Sequence, residues 1–234
     1  MSDFTIVIGY RDTSTWSLRA WLVMRKVGVP FEEVYIRYRL PADKQRLLEI
    51  SPTGKVPLLI HRRDGREVRV WDSIAIAEYL AECFPEKGLW PADPAARAMA
   101  RSASAEMHSG FRLLRQHLSM DLLGRYPATH TEEGLGHSGE GLAADIARIE
   151  ALWGECRKSF GEAAGGPFLF GRFTIADAMF APVATRFRTY SVSLSPMAEA
   201  YCQAIFADPD FRAWEEAAKR DLPADADLQK ATLA

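Results

Sequence analysis

Apolar positions change their spacing near residue 85, from alternating strand and helix signals to helical spacing throughout. Residues 5–8 form a short β-rich run. A Ser/Thr cluster at 13–17 follows, and then an apolar-periodic stretch that Gly28 is placed to stop. Residues 31–38 alternate, with Val34 and Ile36 on one face and Tyr35 and Arg37 on the other, as a strand does. A polar helical segment covers 43–50, and a turn at 51–57 runs into an apolar strand. Asp64-Gly65 then marks a tight hairpin within 61–70. Residues 72–84 read as a helix with Ile74, Ala77, Leu80 and Ala81 on one face.

The order over the first part is therefore β-α-β-(α)-β-β-α. The first two strands need a helical crossover, and the last two are joined by a hairpin and so run antiparallel. The sheet is mixed and four-stranded, as in the thioredoxin fold. Residues 85–94 are rich in Pro and Gly and read as a linker. Beyond them, Ala100, Ala103, Met107, Leu114 and Leu118 share a face of one long helix. Leu142, Ile146, Ile149, Trp153, Cys156 and Phe160 keep a 3–4 spacing on another. Further helices are predicted from near Thr174, over 196–206 and over 211–219, with a polar, Gly-rich loop at 128–141. The fold class is thus α/β plus all-α: a thioredoxin-like domain at 1–83, a linker at 84–97, an all-helical bundle domain at 98–222 and a tail at 223–234.

Length and composition narrow the field. With 234 residues, 48% apolar and 26% charged, the chain can bury a substantial core. A formal net charge of -2 offers no basic surface for nucleic acid. No apolar run approaches the roughly 20 residues that span a bilayer, and the first residues lack the pattern of a signal peptide, so a cytoplasmic location is expected. The three cysteines, Cys83, Cys156 and Cys202, are odd in number and widely spaced, which argues against a disulfide framework and against a metal site.

Three short motifs sit at junctions between strand and helix. Thr13-Ser14-Thr15-Trp16-Ser17 opens the first helix, Lys55-Val56-Pro57 leads into the third strand, and Asp72-Ser73 precedes the helix after the fourth. Taken singly, each has an ordinary structural reading: Ser14 and Asp72 as helix caps, and Pro57 as a trans proline opening an edge strand. A fourth motif, Thr174-Ile175-Ala176-Asp177, has the spacing of a capping box with Asp in place of Glu, and is assigned to folding.

In their order and spacing these motifs resemble the glutathione transferase family, over residues 4 to about 220. The resemblance implies glutathione as co-substrate. Its sulfur would be held as thiolate by Ser14, with Thr13, Thr15, Ser17 or Tyr10 as the alternative hydroxyls. The positive end of the opening helix and a donated hydrogen bond would lower a thiol pKa that is otherwise about 8.5. Lys55, Val56 and Pro57 would hold the cysteinyl backbone across a cis Val-Pro bond, as a sheet edge takes an added strand. Asp72 and Ser73 would hold the γ-glutamyl end, and Lys44, Gln45 or Arg39 the glycine carboxylate. A second, apolar substrate is placed against Met107, Phe111 and Leu114, with Tyr190 near them. Glu106 and His108, two apart on a helix, do not share a face and are assigned to structure or to domain-interface contacts.

The implied activity is conjugation of the thiolate to small hydrophobic electrophiles, a detoxification chemistry, by a homodimer. The alternatives are a glutathione-dependent isomerase of the maleylacetoacetate type, a dehalogenase, or a non-catalytic binding protein. The Ser-x-Cys pattern of the isomerase class is replaced by Thr-Ser-Thr, and no cysteine lies near the first helix. Thiol–disulfide exchange is therefore not expected.

Overall fold

The computed structural model describes residues 3–126 and 137–233, with side chains described up to 126 and over 140–222. His130, the side chain of His137 and most of the predicted Gly-rich loop lie outside the described residues. The chain forms two compact units. One holds the residues up to Lys87 together with those from Ala213 on; the other runs from Gly88 to Arg212.

In the first unit the expected mixed sheet is present. Strands β1 (Phe4–Ile8), β2 (Phe31–Tyr35), β3 (Leu58–Arg63) and β4 (Arg66–Trp71) lie in the order β2-β1-β3-β4. β1 pairs in parallel with β2 and antiparallel with β3, with Ile6 opposite Glu33 on one side and Leu59 on the other. Every residue of β1 is buried, as a central strand covered on both faces requires. The β3–β4 hairpin turns on Asp64 and Gly65, both at positive φ (53° and 72°), the geometry of a two-residue type I′ turn.

Val7, Leu58 and Ile60 pack with Ile36 and with Leu47 of helix α2 (Pro41–Ile50). By alternation Phe4, Ile6 and Leu59 point to the other face, where α1 (Thr15–Val27) and α3 (Ser73–Cys83) pack on the strands and on each other. α1 starts at the cap Ser14, carries Arg25 and Lys26 in its last turn, and ends at Gly28 with φ 77°.

The second unit is helical: α4 (Pro94–Ser109), α5 (Arg112–His117), α6 (His137–Cys156), α7 (Ile175–Thr189), α8 (Pro196–Ala207) and the start of α9 (Pro209–Leu233). Three expectations are corrected here. The segment taken as a linker to residue 97 already contains the start of α4, capped by Asp93, whose Oδ1 accepts from the Ala96 N–H at 2.8 Å. The single long helix drawn through Ala100, Met107 and Leu114 breaks between α4 and α5. A Cβ on Gly110 would meet the Glu106 carbonyl oxygen at 2.8 Å, and Phe111 takes φ 57°. The break is tied on both sides. Arg115 donates to the carbonyls of Gly110, Met107 and His108, and Asp145 Oδ2 accepts from the Leu113 and Leu114 N–H groups at 3.1 and 3.0 Å. Finally, the expected tail is helical: α9 runs on to Leu233, and its residues from Ala213 group with the first unit.

α7 is buried along nearly its whole length, with Arg188 half-exposed. The predicted capping box forms at its start: Asp177 Oδ2 accepts from the Thr174 N–H (2.7 Å) and Oγ1 (3.0 Å). Asp177 Oδ1 also accepts from the Leu169 N–H and the Tyr201 hydroxyl, each at 3.1 Å. Trp153 of α6 fills the centre, its ring in edge contact with Phe180, Phe187 and Tyr201. Glu106 forms a two-pronged pair with Arg148 (2.7 and 2.8 Å).

Candidate functional site

A cavity of about 330 Å³ opens in the first unit, within the ordinary range for small-molecule sites. It is lined by Trp16, Thr53, Lys55, Val56, Pro57, Trp71, Asp72 and Ser73. Two of the three sequence motifs thus meet there in full, and the first contributes Trp16.

Each wall has a local cause. The loop before β3 is braced by Ser51, whose Oγ donates to the Lys55 carbonyl (2.9 Å) and accepts from the Lys55 N–H (3.3 Å). The Val56–Pro57 bond is cis. Val56 makes no hydrogen bond through its backbone among the described residues, so its N–H and C=O stand as an unpaired strand edge. Gly9, at the end of β1, gives this loop room. A Cβ there would meet the Tyr38 ring at 2.5 Å and the Val56 side chain at 3.0 Å.

At the opposite wall Asp72 caps α3, its Oδ1 accepting from the Ile74 N–H at 2.9 Å, in a backbone held at φ 75°. A non-glycine residue there is uncommon and costs energy. It sets Ser73 as the first residue of the helix. Ser73 is 1% exposed, lines the cavity, and its Oγ has no hydrogen-bond partner. Buried hydroxyls are ordinarily satisfied. One left open beside helix N–H groups is a donor set for an anion.

The first motif contributes only Trp16 to the lining. Ser14 does cap α1, accepting from the Ser17 N–H at 3.4 Å, but its own proton goes to Ser17 Oγ at 2.8 Å. Ser17 Oγ in turn accepts from the Gly9 N–H at 3.0 Å. Ser14 is 7% exposed and is not among the lining residues; Trp16, two positions on, is. Of the alternative hydroxyls, Thr13 donates to Asp12 at 3.5 Å, and Thr15 and Ser17 are buried. Tyr10 is 2% exposed, with its hydroxyl unpartnered and its ring between Tyr38 and the Arg39 guanidinium. None of these lines the cavity, nor do Arg39, Lys44 or Gln45, the last of which donates to Glu49.

In the second unit Met107 and Leu114 have no exposed surface and Phe111 has 7%. All three are packed side chains at the α4–α5 break, and Tyr190, equally buried, shares a hydrogen bond with Ser119 at 3.3 Å. The lining residues that sequence reasoning missed are Trp16, Thr53 and Trp71. Trp71 carried a readable signal, a large aromatic next to Asp72 at a strand end, and it remains 46% exposed.

A thioredoxin-like sheet with a cis-proline loop and a serine at a helix start, joined to a helical unit, defines the class. The family model of the glutathione S-transferase N-terminal domain matches residues 13–83, and that of the glutathione S-transferase C-terminal domain matches residues 94–220. The chain belongs to the glutathione S-transferase family. Among its relatives, a maleylacetoacetate isomerase from Pseudomonas aeruginosa is 28% identical over 92% of this chain and 97% of its own. A probable maleylacetoacetate isomerase from Caenorhabditis elegans is 29% identical over 80% of each. The crystal structure of a glutathione transferase homologue from Burkholderia, solved with bound glutathione, is 25% identical, with a TM-score of 0.63 over 94% of this chain and 99% of that one.

Proposed function

We propose that the chain is a glutathione-dependent enzyme that takes glutathione into the first-unit cavity and adds its thiolate to small hydrophobic electrophiles. The observation that carries this reading is Ser73: a buried hydroxyl without a partner, at a helix start, facing a cavity whose other wall is an unpaired strand edge. Glutathione offers the matching groups in sequence. Its γ-glutamyl carboxylate suits Ser73 Oγ and the first N–H groups of α3, with the Asp72 carboxylate opposite the α-ammonium group. The cysteinyl backbone pairs with Val56 across the loop, as an added strand does, and Lys55 supplies a cation on the exposed side.

The sulfur then lies toward the start of α1, where the positive end of the helix favours the thiolate. Ser14 supports it by turning its hydroxyl from Ser17 to the sulfur. Ser17 Oγ keeps the Gly9 N–H when Ser14 turns away. With a chlorodinitrobenzene the thiolate forms a C–S bond at the carbon bearing chlorine, the C–Cl bond breaks and chloride leaves. The thiol proton goes to solvent. For the electrophile we assign Phe111, the member of its trio with exposed surface, with Met107 and Leu114 as its packing support. The working form is a homodimer, which sedimentation velocity tests.

The decisive experiment pairs calorimetry with turnover. Ser14→Ala is expected to lower kcat by tenfold or more while changing the glutathione Kd by less than threefold. Equal turnover in the variant removes Ser14 from the reaction, and no heat with millimolar glutathione removes the whole reading.

The two isomerase relatives support a second reading. There the thiolate adds to one carbon of a cis double bond, the resulting single bond rotates, and the thiolate leaves as the trans bond forms. Conjugation consumes glutathione and isomerisation returns it. Titration of free thiol during turnover of each substrate type therefore separates the two.

A further inference from the structure

Two indoles line the first-unit cavity, Trp16 and Trp71, and their surroundings differ. Trp16 has the Arg19 guanidinium over its ring at 4.8 Å. Trp21, Trp90 and Trp214 are covered in the same way, by Arg25 at 5.4 Å, Arg101 at 5.5 Å and Arg11 at 5.6 Å. Trp153 is enclosed by three aromatic rings in the core of the helical unit. The sixth tryptophan, Trp71, has neither a cation nor an aromatic ring against it among the described residues. It is 46% exposed, and Lys55, a cation of the same lining, does not cover it.

Pairing fixes where this open ring stands. Trp71 ends β4 opposite Leu58, the residue after the cis proline, and directly precedes Asp72. Its backbone is thus anchored beside both of the walls to which the ligand was assigned. An indole is the best aromatic acceptor of a cation, and one that lines a cavity offers its face to whatever enters. The lining holds one carboxylate, Asp72, and its Oδ1 already accepts from the Ile74 N–H at 2.9 Å. In a γ-glutamyl group the ammonium and the carboxylate are attached to the same carbon. With the carboxylate at Ser73, the ammonium falls beside residues 71 and 72. There the cap commits one carboxylate oxygen, and the uncovered indole is the next group able to receive a positive charge.

We propose that Trp71 is a specificity-determining residue of this cavity. Its ring receives the α-ammonium group of the γ-glutamyl end and, with Asp72, completes a receptor for thiols that carry a free amino-acid head. The inference rests on the glutathione reading and names the group of that ligand which the cavity selects. A thiol peptide without the ammonium is then a poor ligand even when every other group is kept.

The test is calorimetry of the full chain with two peptides: glutathione, and glutaryl-cysteinylglycine, which differs only in lacking the α-ammonium group. The native chain should bind the glutaryl peptide about tenfold more weakly, having lost both the charge pair with Asp72 and the contact with the ring. Trp71→Leu should weaken glutathione about fivefold and leave the glutaryl peptide within twofold of its native Kd. Trp71→Phe, which keeps a ring face on the strand, should recover part of that loss. Both variants should melt within a few degrees of the parent chain, since the position is exposed. Unchanged glutathione affinity in Trp71→Leu overturns the assignment. Equal losses of the two peptides overturn it as well, because they show a packing role while glutathione still binds. No heat with either peptide in the native chain removes glutathione from the cavity, and the assignment with it.

Discussion

Ser73 and Ser14 both sit at the start of a helix, yet their hydroxyls are engaged differently. Ser14 gives its proton to Ser17 and receives one from the backbone, whereas Ser73 Oγ does neither. Ser73→Ala therefore removes no internal bond. The melting temperature should hold or rise slightly, while glutathione affinity, read by calorimetry, should fall about tenfold or more, the loss of one hydrogen bond to a charged group at about 1.5–3 kcal/mol. A substitution that lowered both together would mean that Ser73 supports the fold. Gly9→Ala is the converse case. Its Cβ presses on Tyr38 and Val56, so both stability (about 1–3 kcal/mol, by chemical denaturation) and glutathione binding should drop. Residue types at helix starts were legible in the sequence; the direction of each hydroxyl was not. That direction depends on Gly9 and Ser17 meeting across the end of β1.

At the scale of elements, local chemistry was readable wherever it is self-contained. Asp64-Gly65 specified its hairpin, and Thr174 with Asp177 specified the box that opens α7. The α4–α5 break was not readable, because apolar spacing continues across it. What interrupts the helix is tertiary: Asp145 from α6 caps α5, while Arg115 ties off the end of α4. Asp177 also yields a pH prediction. Burial outweighs its four donors and pushes its carboxyl up to about 6 from an ordinary 3.8. The folded state then holds this proton more tightly than the unfolded state does. The group's contribution is thus complete below pH 4 and is lost as pH rises through 6. Relative to Asp177→Asn, the chain should lose on the order of 3 kcal/mol of unfolding free energy between pH 4 and pH 7, measured by denaturant titration at each pH. A difference that grows over that interval would show the hydrogen bonds, not burial, to dominate.

On the scale of the whole molecule, the chain closes on its own beginning. The Trp214 indole donates to the Arg11 carbonyl at 2.9 Å and packs on Trp21 at 5.2 Å. The Arg11 guanidinium lies against the rings of Tyr35 and Trp214 and pairs with Glu33 and Asp221. Residues 1–87 alone lack that cover. Trp214→Ala should cost about 3–5 kcal/mol by denaturant unfolding, the usual range for a buried Trp. Sequence reading saw the apolar period of this last helix but assigned its final residues to a tail, since no local signal tells a helix which distant surface it will cover.

The three cysteines differ sharply in their surroundings. Burial pushes the thiols of Cys156 and Cys202 up to about 12, while Cys83 is exposed. A maleimide at neutral pH should thus couple to one position in the native chain and to three after unfolding, as mass spectrometry would count. That position is the last residue of α3, whose first residue is Ser73. At about 1.5 Å per residue, the dye would sit roughly 15 Å from the proposed carboxylate receptor. The native sequence therefore already supports a single-site optical reporter at the far end of the helix that would greet the ligand, with no engineered cysteine needed.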